Sequence, residues 1–139
     1  MAEREKLSIG DTIAKSFLIA VEQRGARTAL REKELGIWKS VSWREWGDKS
    51  KAIAYALYAS GFRPGDVASI LSNTKPEWIY ADMGVLCAGG VSSGIYPTDA
   101  AKQVEYLLVD SASKVVFVED DEQLDKVLMV RARCPQLQL

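Results

Sequence analysis

A strand, a helix and a second strand are predicted within residues 64–98, and this unit constrains the fold more than any other stretch of the chain. The turn signal Gly65-Asp66 precedes an apolar run at 67–71, which has the length of a buried strand. Gly89 and Gly90 close the helical pattern, and residues 91–96 predict the second strand. Two strands joined in this way run parallel with a right-handed crossover, so we expect a βαβ unit.

The helix of this unit is predicted to be capped by Thr74. Thr74 and Glu77 stand at capping-box spacing, so the Thr74 hydroxyl can accept the N–H of Glu77 while the Glu77 carboxylate reaches back. Pro76 falls in the first turn, where a missing N–H has no cost. The apolar stripe of this helix is expected to be Ile79, Met83 and Leu86.

A helix, a β-ribbon and another helix are predicted before this unit. Asp11 can cap the first helix, which should end near Gly25. Gly36 can supply the positive φ of a turn at 33–36 between β-like runs at 28–32 and 37–41. Ser42 and Glu45 repeat the capping-box spacing. The apolar stripes are Ile13, Phe17, Ala20 and Val21 in the first helix, and Trp46, Ile53 and Leu57 in the second, which ends at Gly61.

A helix, a third strand and a last helix are predicted after the unit. Thr98 can act as the N-cap of the first of these helices, and residues 110–113 interrupt it. Residues 114–118 are nearly all β-branched or aromatic, as is typical of a parallel strand buried on both faces. The apolar stripes are Ala101, Val104, Leu107 and Leu108 in one helix, and Leu124, Val127 and Leu128 in the other, which ends at Cys134-Pro135.

These elements predict an α/β fold. Three parallel strands separated by amphipathic helices form a partial doubly wound sheet of βαβαβ order, with an N-terminal helix and a β-ribbon beside it. Residues 137–139 resemble the start of another strand. We therefore expect the 139 residues to be part of a longer protein rather than a complete one.

Composition excludes several classes of partner. Eighteen basic and 19 acidic residues are mixed along the chain, so no electrostatic surface for nucleic acid is expected. The apolar run at 115–118 is far too short to span a bilayer, and the charged residues 1–6 do not resemble a signal peptide. A cytoplasmic location follows as an expectation. The sequence also contains no histidine, which removes the commonest general base and every triad that depends on imidazole.

Three loops are eligible as ligand sites because they follow the carboxyl ends of the predicted parallel strands, at 72–74, 96–98 and 119–121. Asn73 and Thr98 in these loops are interpreted as helix caps. The acidic run at 119–122 could hold a divalent cation, but consecutive carboxylates cannot all converge on one ion, so a solvated helix N-terminus is favoured. The glycine-rich residues 89–94 close a helix and open a strand, which is the wrong polarity for a phosphate loop.

Other reactive or aromatic residues favour structural roles. Trp38, Trp43 and Trp46 could bind sugars or bases, although core or hairpin packing is the stronger interpretation. Cys87 and Cys134 are interpreted as small buried hydrophobes rather than zinc ligands. No nucleophile has an evident base beside it. We therefore predict no catalytic, cofactor-binding or metal-binding residue in these 139 residues.

Several segments occur in an order that resembles a known family. They are IWKSVSW at 37–43, GFRPGDVA at 61–68, NTKPEW at 73–78, AGG at 88–90, IYPT at 95–98, DS at 110–111 and KVVFVED at 114–120. Together they resemble the N-terminal region of AMP-forming acyl-CoA synthetases, most of all the long-chain fatty-acid CoA ligases. The resemblance covers nearly the whole chain from about residue 11 onward.

The resemblance implies a parent enzyme that activates a fatty acid in two steps. The carboxylate attacks ATP to give an acyl-adenylate and pyrophosphate, with Mg²⁺ neutralising phosphate charge, and coenzyme A then displaces AMP. The family's phosphate loop, metal-binding glutamate, ribose-binding aspartate and C-terminal lysine match no position here, so no catalytic residue is transferred. Arginines that meet coenzyme A in acetate-using relatives are also missing, because residues 119–122 are acidic.

The resemblance therefore predicts a supporting part of the adenylation domain, truncated before the phosphate loop and inactive alone. Fatty acid, ATP and coenzyme A would be partners of the parent, with peripheral membrane contact left open. Two alternatives remain: a complete flavodoxin-like binding module, and a non-catalytic interaction protein on the ligase scaffold. Open sheet edges and uncovered apolar faces would also favour self-association of the fragment.

Overall fold

The computed structural model describes residues 10–139, and its elements confirm the predicted α/β fold. The helices over these residues are α1 (Ile13–Arg24), α2 (Trp43–Ala59), α3 (Pro76–Cys87), α4 (Ala101–Asp110) and α5 (Asp121–Val130), followed by a 3₁₀ turn (Arg131–Arg133). The strands are β1 (Thr28–Glu34), β2 (Ile37–Ser42), β3 (Val67–Leu71), β4 (Val91–Ile95) and β5 (Val115–Val118). None of these helices is long and apolar enough to cross a bilayer.

The main sheet has three parallel strands in the order β4-β3-β5. Because neighbouring side chains on a strand point to opposite faces, β3 supplies both cores of the molecule. Ala68 of β3 lies in one core and Leu71 in the other. The first core contains Leu57, Phe62, Val85 and Val115 with Ile53 and Phe117; the second contains Ile95, Val104, Leu108, Val127, Val130, Cys134 and Leu137. Helices therefore cover both faces, which confirms the doubly wound layer.

The β-ribbon is a separate antiparallel pair of β1 and β2. Its turn contains Leu35 and Gly36, both with positive φ, at 47° and 83°. The predicted role of Gly36 is thus confirmed, although β1 extends into the predicted turn as far as Glu34; β2 begins at Ile37 as predicted. A two-residue turn of this kind matches the twist of the strands on either side.

The predicted capping box at the start of α2 is present, but the predicted cap of α1 is wrong. Ser42 Oγ accepts the N–H of Glu45 at 3.2 Å, and the Glu45 carboxylate accepts the N–H of Ser42 at 2.8 Å. In α1, Thr12 and not Asp11 is the N-cap, and its hydroxyl accepts the N–H of Lys15. Asp11 instead forms an ion pair with the Lys15 ammonium one turn along the helix.

The caps predicted at Thr74 and Thr98 are also wrong. Pro76 forces the residue before it into extended backbone, so α3 cannot begin until after Lys75, which is the N-cap without a side-chain hydrogen bond. Thr74 therefore lies outside the helix. Helix α4 begins after Ala100, because a turn in which Asp99 N–H donates to Tyr96 O comes between β4 and the helix.

The buried faces of two helices differ in part from the predicted ones: Val127 of α5 is buried as predicted, whereas the predicted stripe of α3, Ile79, Met83 and Leu86, is only half-buried. Helix α3 is most buried along Tyr80, Ala81, Gly84 and Val85, and α5 along Gln123, Val127 and Val130. Helix α2 approaches α3 so closely at Gly84 that an added Cβ would lie 2.5 Å from Ile53 Cγ2. Small residues thus mark this contact, whereas the predicted stripes counted only large apolar residues. Leu124 and Leu128 of α5 are exposed.

Residues 137–139 run beside the outer edge of β5. The N–H of Leu139 donates to Lys114 O at 3.2 Å, and Leu139 O accepts the N–H of Val116 at 3.0 Å. These two bonds flank Val115 as bonds do in a parallel ladder. The strand-like character predicted for these residues is therefore present in the hydrogen bonding, although no strand is formed over so short a length.

Candidate functional site

The three loops predicted as ligand sites all lie at the carboxyl edge of the parallel sheet. They follow β3, β4 and β5, which the register Leu71 to Ile95 and Leu71 to Val118 places side by side. Open α/β sheets bind ligands outside this edge. We call the loops at 72–75, 96–99 and 119–120 the carboxyl-edge loops, and their side chains form the candidate site.

Glu119, the first residue after β5, joins two of these loops. Its Oε1 lies 2.7 Å from Lys75 Nζ, and its Oε2 accepts the backbone N–H of Asn73 at 2.7 Å. The Asn73 side-chain amide donates to the same oxygen at 3.0 Å, and Ser72 Oγ at 3.3 Å. The Glu119 side chain is only 13% exposed. One carboxylate therefore fixes the loop after β3 against the end of β5.

The charge state of Glu119 is set by these donors. The Lys75 ammonium, with the N–H groups of Asn73, lowers the pKa of Glu119 from 4.5 to about 2. Glu119 in turn raises the pKa of Lys75. Both groups are charged at neutral pH and neutralise each other. A carboxylate held so strongly in its ionised form is a poor general base, so the pair is suited to positioning rather than proton transfer.

Lys126 joins the third loop to the layer. Its Nζ on α5 donates to Pro97 O at 2.6 Å and to Gln123 Oε1 at 3.1 Å. Glu122 lies 3.3 Å away as a charge partner. The loop after β4 is thus attached to α5, and α5 begins directly after the loop that carries Glu119. All three carboxyl-edge loops are thus held by ion pairs or hydrogen bonds.

Two cavities open beside these loops. One, of about 370 Å³, has Ile70, Trp78 and Phe117 as apolar walls and Lys75 and Glu119 as polar lining. The second, of about 290 Å³, lies between Trp78, Gly94 and Tyr96. The larger is within the range of small-molecule sites, and Trp78 lines both. The edge therefore offers apolar space beside a neutralised ion pair, and its chemistry is that of binding and orientation.

The structure separates the acidic run that the sequence left as one feature. Glu119 bonds to Lys75, while the Asp120 side chain caps α5 by accepting the N–H of Gln123 at 3.0 Å. Asp121 and Glu122 lie in the first turn of α5. The helix N-terminus interpretation is therefore confirmed for residues 120–122 and wrong for Glu119, whose side chain is only 13% exposed and pairs with Lys75. Within residues 10–139, no three His, Cys, Asp or Glu side chains are grouped so that they could hold a metal ion.

Most of the other predicted assignments hold. Gly89 ends α3 with a φ of 77°, and a Cβ on Gly90 would lie 2.4 Å from the Phe62 ring, so the glycines serve a helix stop and a close contact. Cys134 is buried and Cys87 half-buried, both free, and burial raises the pKa of each thiol. Asn73 is an exception, because its side chain bonds to Glu119 and caps no helix.

The tryptophans divide between packing and exposure. The Trp46 ring packs at a tilt against Phe17 and Trp43, with ring centroids 4.7 and 5.2 Å apart. The packing interpretation is therefore confirmed for Trp43 and Trp46. The Arg24 guanidinium lies 4.7 Å over the Trp43 ring. Trp38, on the ribbon, is 63% exposed and contacts Lys33. Two of the three therefore serve the interior, and the third lies at the surface.

Lys75, Lys126 and the bonding role of Glu119 were not predicted from the sequence. The members of the Lys75–Glu119 pair are 44 positions apart, so no local spacing indicates it. A signal did exist, because both residues follow the carboxyl ends of strands that parallel pairing brings together. Opposite charges at the ends of two such strands predict an ion pair once the order β4-β3-β5 is known.

Comparison with known proteins gives a family match over most of the chain. Residues 17–138 match the protein family described as AMP-binding enzyme. The human long-chain-fatty-acid–CoA ligase ACSBG1 is 27% identical over 126 residues, which are 91% of this chain and 17% of that protein. The Rattus norvegicus ligase ACSBG2 is 32% identical over 119 residues, 86% of this chain and 18% of that protein. The chain thus spans less than a fifth of the length of these relatives.

Solved structures share the fold. The anthranilate CoA ligase AuaEII, in complex with anthranoyl-AMP, superposes with a TM-score of 0.81 at 22% identity, covering 90% of this chain and 23% of that one. The adenylation domain of a carboxylate reductase from Mycobacterium chelonae gives a TM-score of 0.79 at 22% identity, with 94% and 22% covered. At such identities the likeness concerns the fold.

Proposed function

This chain belongs to the AMP-binding enzyme family, and on that premise we propose that its 139 residues form the N-terminal portion of the adenylate-forming domain of a long-chain fatty-acid–CoA ligase. The observation that carries the proposal is the family match over residues 17–138, combined with long-chain ligases as relatives. The portion would precede the phosphate loop, because the sequence holds no Ser/Thr/Gly-rich loop ending in lysine.

In this proposal the parent ligase activates a fatty acid at the expense of ATP. The carboxylate oxygen forms a bond to the α-phosphorus and pyrophosphate leaves; the coenzyme A thiolate then attacks the acyl carbon and AMP leaves. Mg²⁺ would neutralise phosphate charge in the first step. The described residues 10–139 do not fit such an ion, since no three suitable side chains are grouped. The groups that hold metal and triphosphate would therefore belong to other parts of the ligase.

The part played by the present residues would be positional. The Glu119 carboxylate holds the loop after β3, and Lys126 holds the loop after β4. Fixed loops at this edge cost no reorganisation when substrate binds, and orientation of reactants contributes strongly to rate. A cytoplasmic location is part of this proposal, because ATP and coenzyme A are soluble substrates of the proposed ligase.

A segment exchange tests the proposal. Residues 17–138 replace the corresponding segment of the Rattus norvegicus ligase ACSBG2, and thioester formation from a long-chain fatty acid, ATP, Mg²⁺ and coenzyme A is measured. We expect the chimaera to retain turnover. The matched control carries Leu71→Asp in the same chimaera, which places a charge in a fully buried position of β3 and should abolish turnover. A chimaera with native-like thermal unfolding but no turnover would contradict the proposal and favour a non-catalytic interaction protein.

The 139 residues alone are proposed to be inactive. Incubated with fatty acid, ATP, Mg²⁺ and coenzyme A, they should give no thioester and no pyrophosphate above a blank without protein. Turnover above that blank would refute the proposal directly. It would also favour the alternative of a complete flavodoxin-like module, because the first three strands of that fold lie in the same order in the sheet as β4-β3-β5.

Self-association of the isolated chain belongs to the same proposal. Strand β4 lies at an edge of the sheet described here, and Tyr106, Val109 and Met129 are exposed around a groove of about 820 Å³ between α4 and α5. Unpaired strand edges and exposed apolar surface promote association. Sedimentation should show a mass that rises with concentration. A monomer at every concentration would contradict this part of the proposal.

A further inference from the structure

The tip of the β-ribbon exposes large apolar side chains. Leu35 is 97% exposed, Ile37 68% and Trp38 63%. Single exposed apolar residues are common on protein surfaces and need no explanation. Three within four positions, at the end of a two-stranded ribbon, form a cluster of the kind that marks an interaction surface. We call Leu35, Ile37 and Trp38 the ribbon tip.

The fold gives no reason for leucine at the turn. Leu35 has a φ of 47°, in the left-handed region that costs an L-residue with a Cβ, and Gly36 follows at 83°. A turn with positive φ at both central positions favours Asn-Gly. The almost fully exposed Leu35 side chain has no burial to offset this cost. A residue that is unfavourable for its own backbone and buries almost nothing is better explained by a partner outside the chain.

The two faces of the ribbon differ in charge. Residues directly opposite in an antiparallel pair share a face, and the faces alternate along each strand. The register pairs Arg31 with Ser40 and Lys33 with Trp38 on one face, which therefore carries two cations and no carboxylate. On the other face it pairs Glu32 with Lys39 and Glu34 with Ile37. We call the first set the basic face.

Contacts and burial support this division. Lys33 Nζ lies 5.9 Å from the centroid of the Trp38 ring, at the outer limit of a cation–π contact. Glu34 forms an ion pair with Lys39 within the other face. Arg31, Lys33 and Trp38 are exposed, whereas Leu30 and Glu32 are half-buried toward the body of the molecule. The side chains of the basic face are thus accessible to solvent.

We propose that the ribbon tip docks on an anionic phospholipid bilayer. Leu35 at the turn and Trp38 on the basic face would enter the interfacial region, where tryptophan is the favoured aromatic residue, and Arg31 and Lys33 would meet lipid phosphates. Each Lys or Arg near an anionic leaflet adds a similar amount to the free energy of binding. Charge separation between the faces favours a lipid surface, because a bilayer presents one sign of charge above one apolar layer.

The location of the ribbon agrees with the proposed function. The role that we give to membrane docking rests on that function. Leu30 and Arg31 line a cavity of about 240 Å³ together with Thr74, Lys75 and Pro76, so the base of the ribbon adjoins a carboxyl-edge loop. A long-chain fatty acid partitions into bilayers. A ligase docked through the ribbon tip would hold the edge of its adenylation domain beside the membrane that contains its substrate.

Vesicle co-sedimentation of the full 139-residue chain tests the docking. Vesicles of phosphatidylcholine alone are compared with vesicles in which a minority of the lipid is phosphatidylserine, at low and high salt. The chain should bind the anionic vesicles more tightly, and salt should weaken this preference. The tip variant Leu35→Asn/Trp38→Thr should bind both kinds of vesicle about tenfold or more weakly, since two large apolar side chains are lost.

Two further variants separate charge from general stickiness. The basic-face variant Arg31→Gln/Lys33→Gln should weaken binding to anionic vesicles about thirtyfold and leave binding to phosphatidylcholine unchanged. The matched control Tyr106→Ser/Met129→Ser removes comparable exposed apolar surface from the groove between α4 and α5 and should bind like the original chain. Thermal unfolding of each variant verifies that it is folded.

The proposal is overturned if the original chain binds neither kind of vesicle. This holds even if the ribbon tip is found to bind a soluble protein. It is also overturned if the groove control loses as much binding as the tip variant. No ATP, fatty acid or coenzyme A is present in the assay. Loss of vesicle binding would therefore leave the ligase proposal standing, and an inactive chimaera would leave the docking proposal standing.

Discussion

The carboxyl-edge loops and the ribbon tip treat their side chains in opposite ways. At the carboxyl edge, the Glu119 carboxylate accepts hydrogen bonds from three groups and pairs with Lys75, and Leu71 at the end of β3 is fully buried. At the ribbon tip, Leu35 is almost fully exposed and has an unfavourable φ. The side chains of the first region are bonded within the fold, whereas those of the second are exposed to solvent.

This difference indicates where a partner of the chain would bind. Natural sequences are locally consistent with their fold, and departures concentrate at functional positions. Satisfied polar groups at the carboxyl edge indicate a finished scaffold. Exposed apolar side chains at the ribbon tip are typical of an interface. Matched changes in the two regions can break or sharpen this comparison.

The largest difference is expected for the same leucine-to-alanine change at the two places. Leu71→Ala should lower the free energy of unfolding by about 3 kcal/mol, because it leaves a cavity in the core beside Val104 and Leu108. Leu35→Ala should change it by less than about 0.5 kcal/mol, as exposed substitutions do. Urea unfolding of both variants measures the pair. Equal costs would mean that the ribbon tip is covered, and the comparison would collapse.

A smaller difference is expected for removing one carboxylate from each region. Glu119→Gln should lower the free energy of unfolding by about 2 kcal/mol, because a charge-assisted hydrogen-bond network is lost and Lys75 keeps an unpaired charge. Glu34→Gln removes an exposed ion pair with Lys39 and should leave the urea midpoint unchanged. If the two substitutions shifted the midpoint alike, Glu119 would be an ordinary surface residue and the edge would not be fixed by it.

The pH dependence of stability should isolate Glu119. Its pKa falls from 4.5 to about 2 on folding, chiefly through Lys75, so its stabilisation is complete above pH 4.5 and is lost as the pH drops toward 2. The difference in unfolding free energy between the original chain and Glu119→Gln should therefore shrink across that interval. Other carboxylates with lowered pKa, such as Asp66 beside Lys114, are present in both proteins and cancel. A difference that stays constant down to pH 2 would exclude the ion pair as its source.

Much of the scaffold could be predicted from the sequence because its signals are local. The apolar run of β3, the capping box at Ser42 and the helix stop at Gly89 each depend on a few adjacent residues. The predicted cap at Thr74 failed at the same local level. The restriction that Pro76 places on Lys75 overrides a favourable spacing, and this rule could have been applied to the sequence.

The candidate site was less predictable because it depends on strand order. The sequence indicated three loops but not that the Glu119 side chain would reach from the end of β5 to the loop after β3, since two helices and two strands lie between Lys75 and Glu119 in the chain. The ribbon tip was hidden for a different reason. The residue type of Trp38 is the same as that of the packed tryptophans, so the sequence cannot distinguish it from them. Only its exposure in the folded chain separates Trp38 from Trp43 and Trp46.

The smallest expected effect is the most direct test of why Leu35 stands at the turn. Leu35→Asn places at the left-handed position a residue that tolerates it, so the free energy of unfolding should rise by about 0.5 kcal/mol while vesicle binding falls. Thermal unfolding and co-sedimentation of the single variant measure both quantities. Leu35→Ala is the control, because it removes the same apolar surface without favouring the backbone. If Leu35→Asn lowered both stability and binding, the leucine would be serving the fold, and the contrast between the ribbon tip and the carboxyl-edge loops would lose its basis.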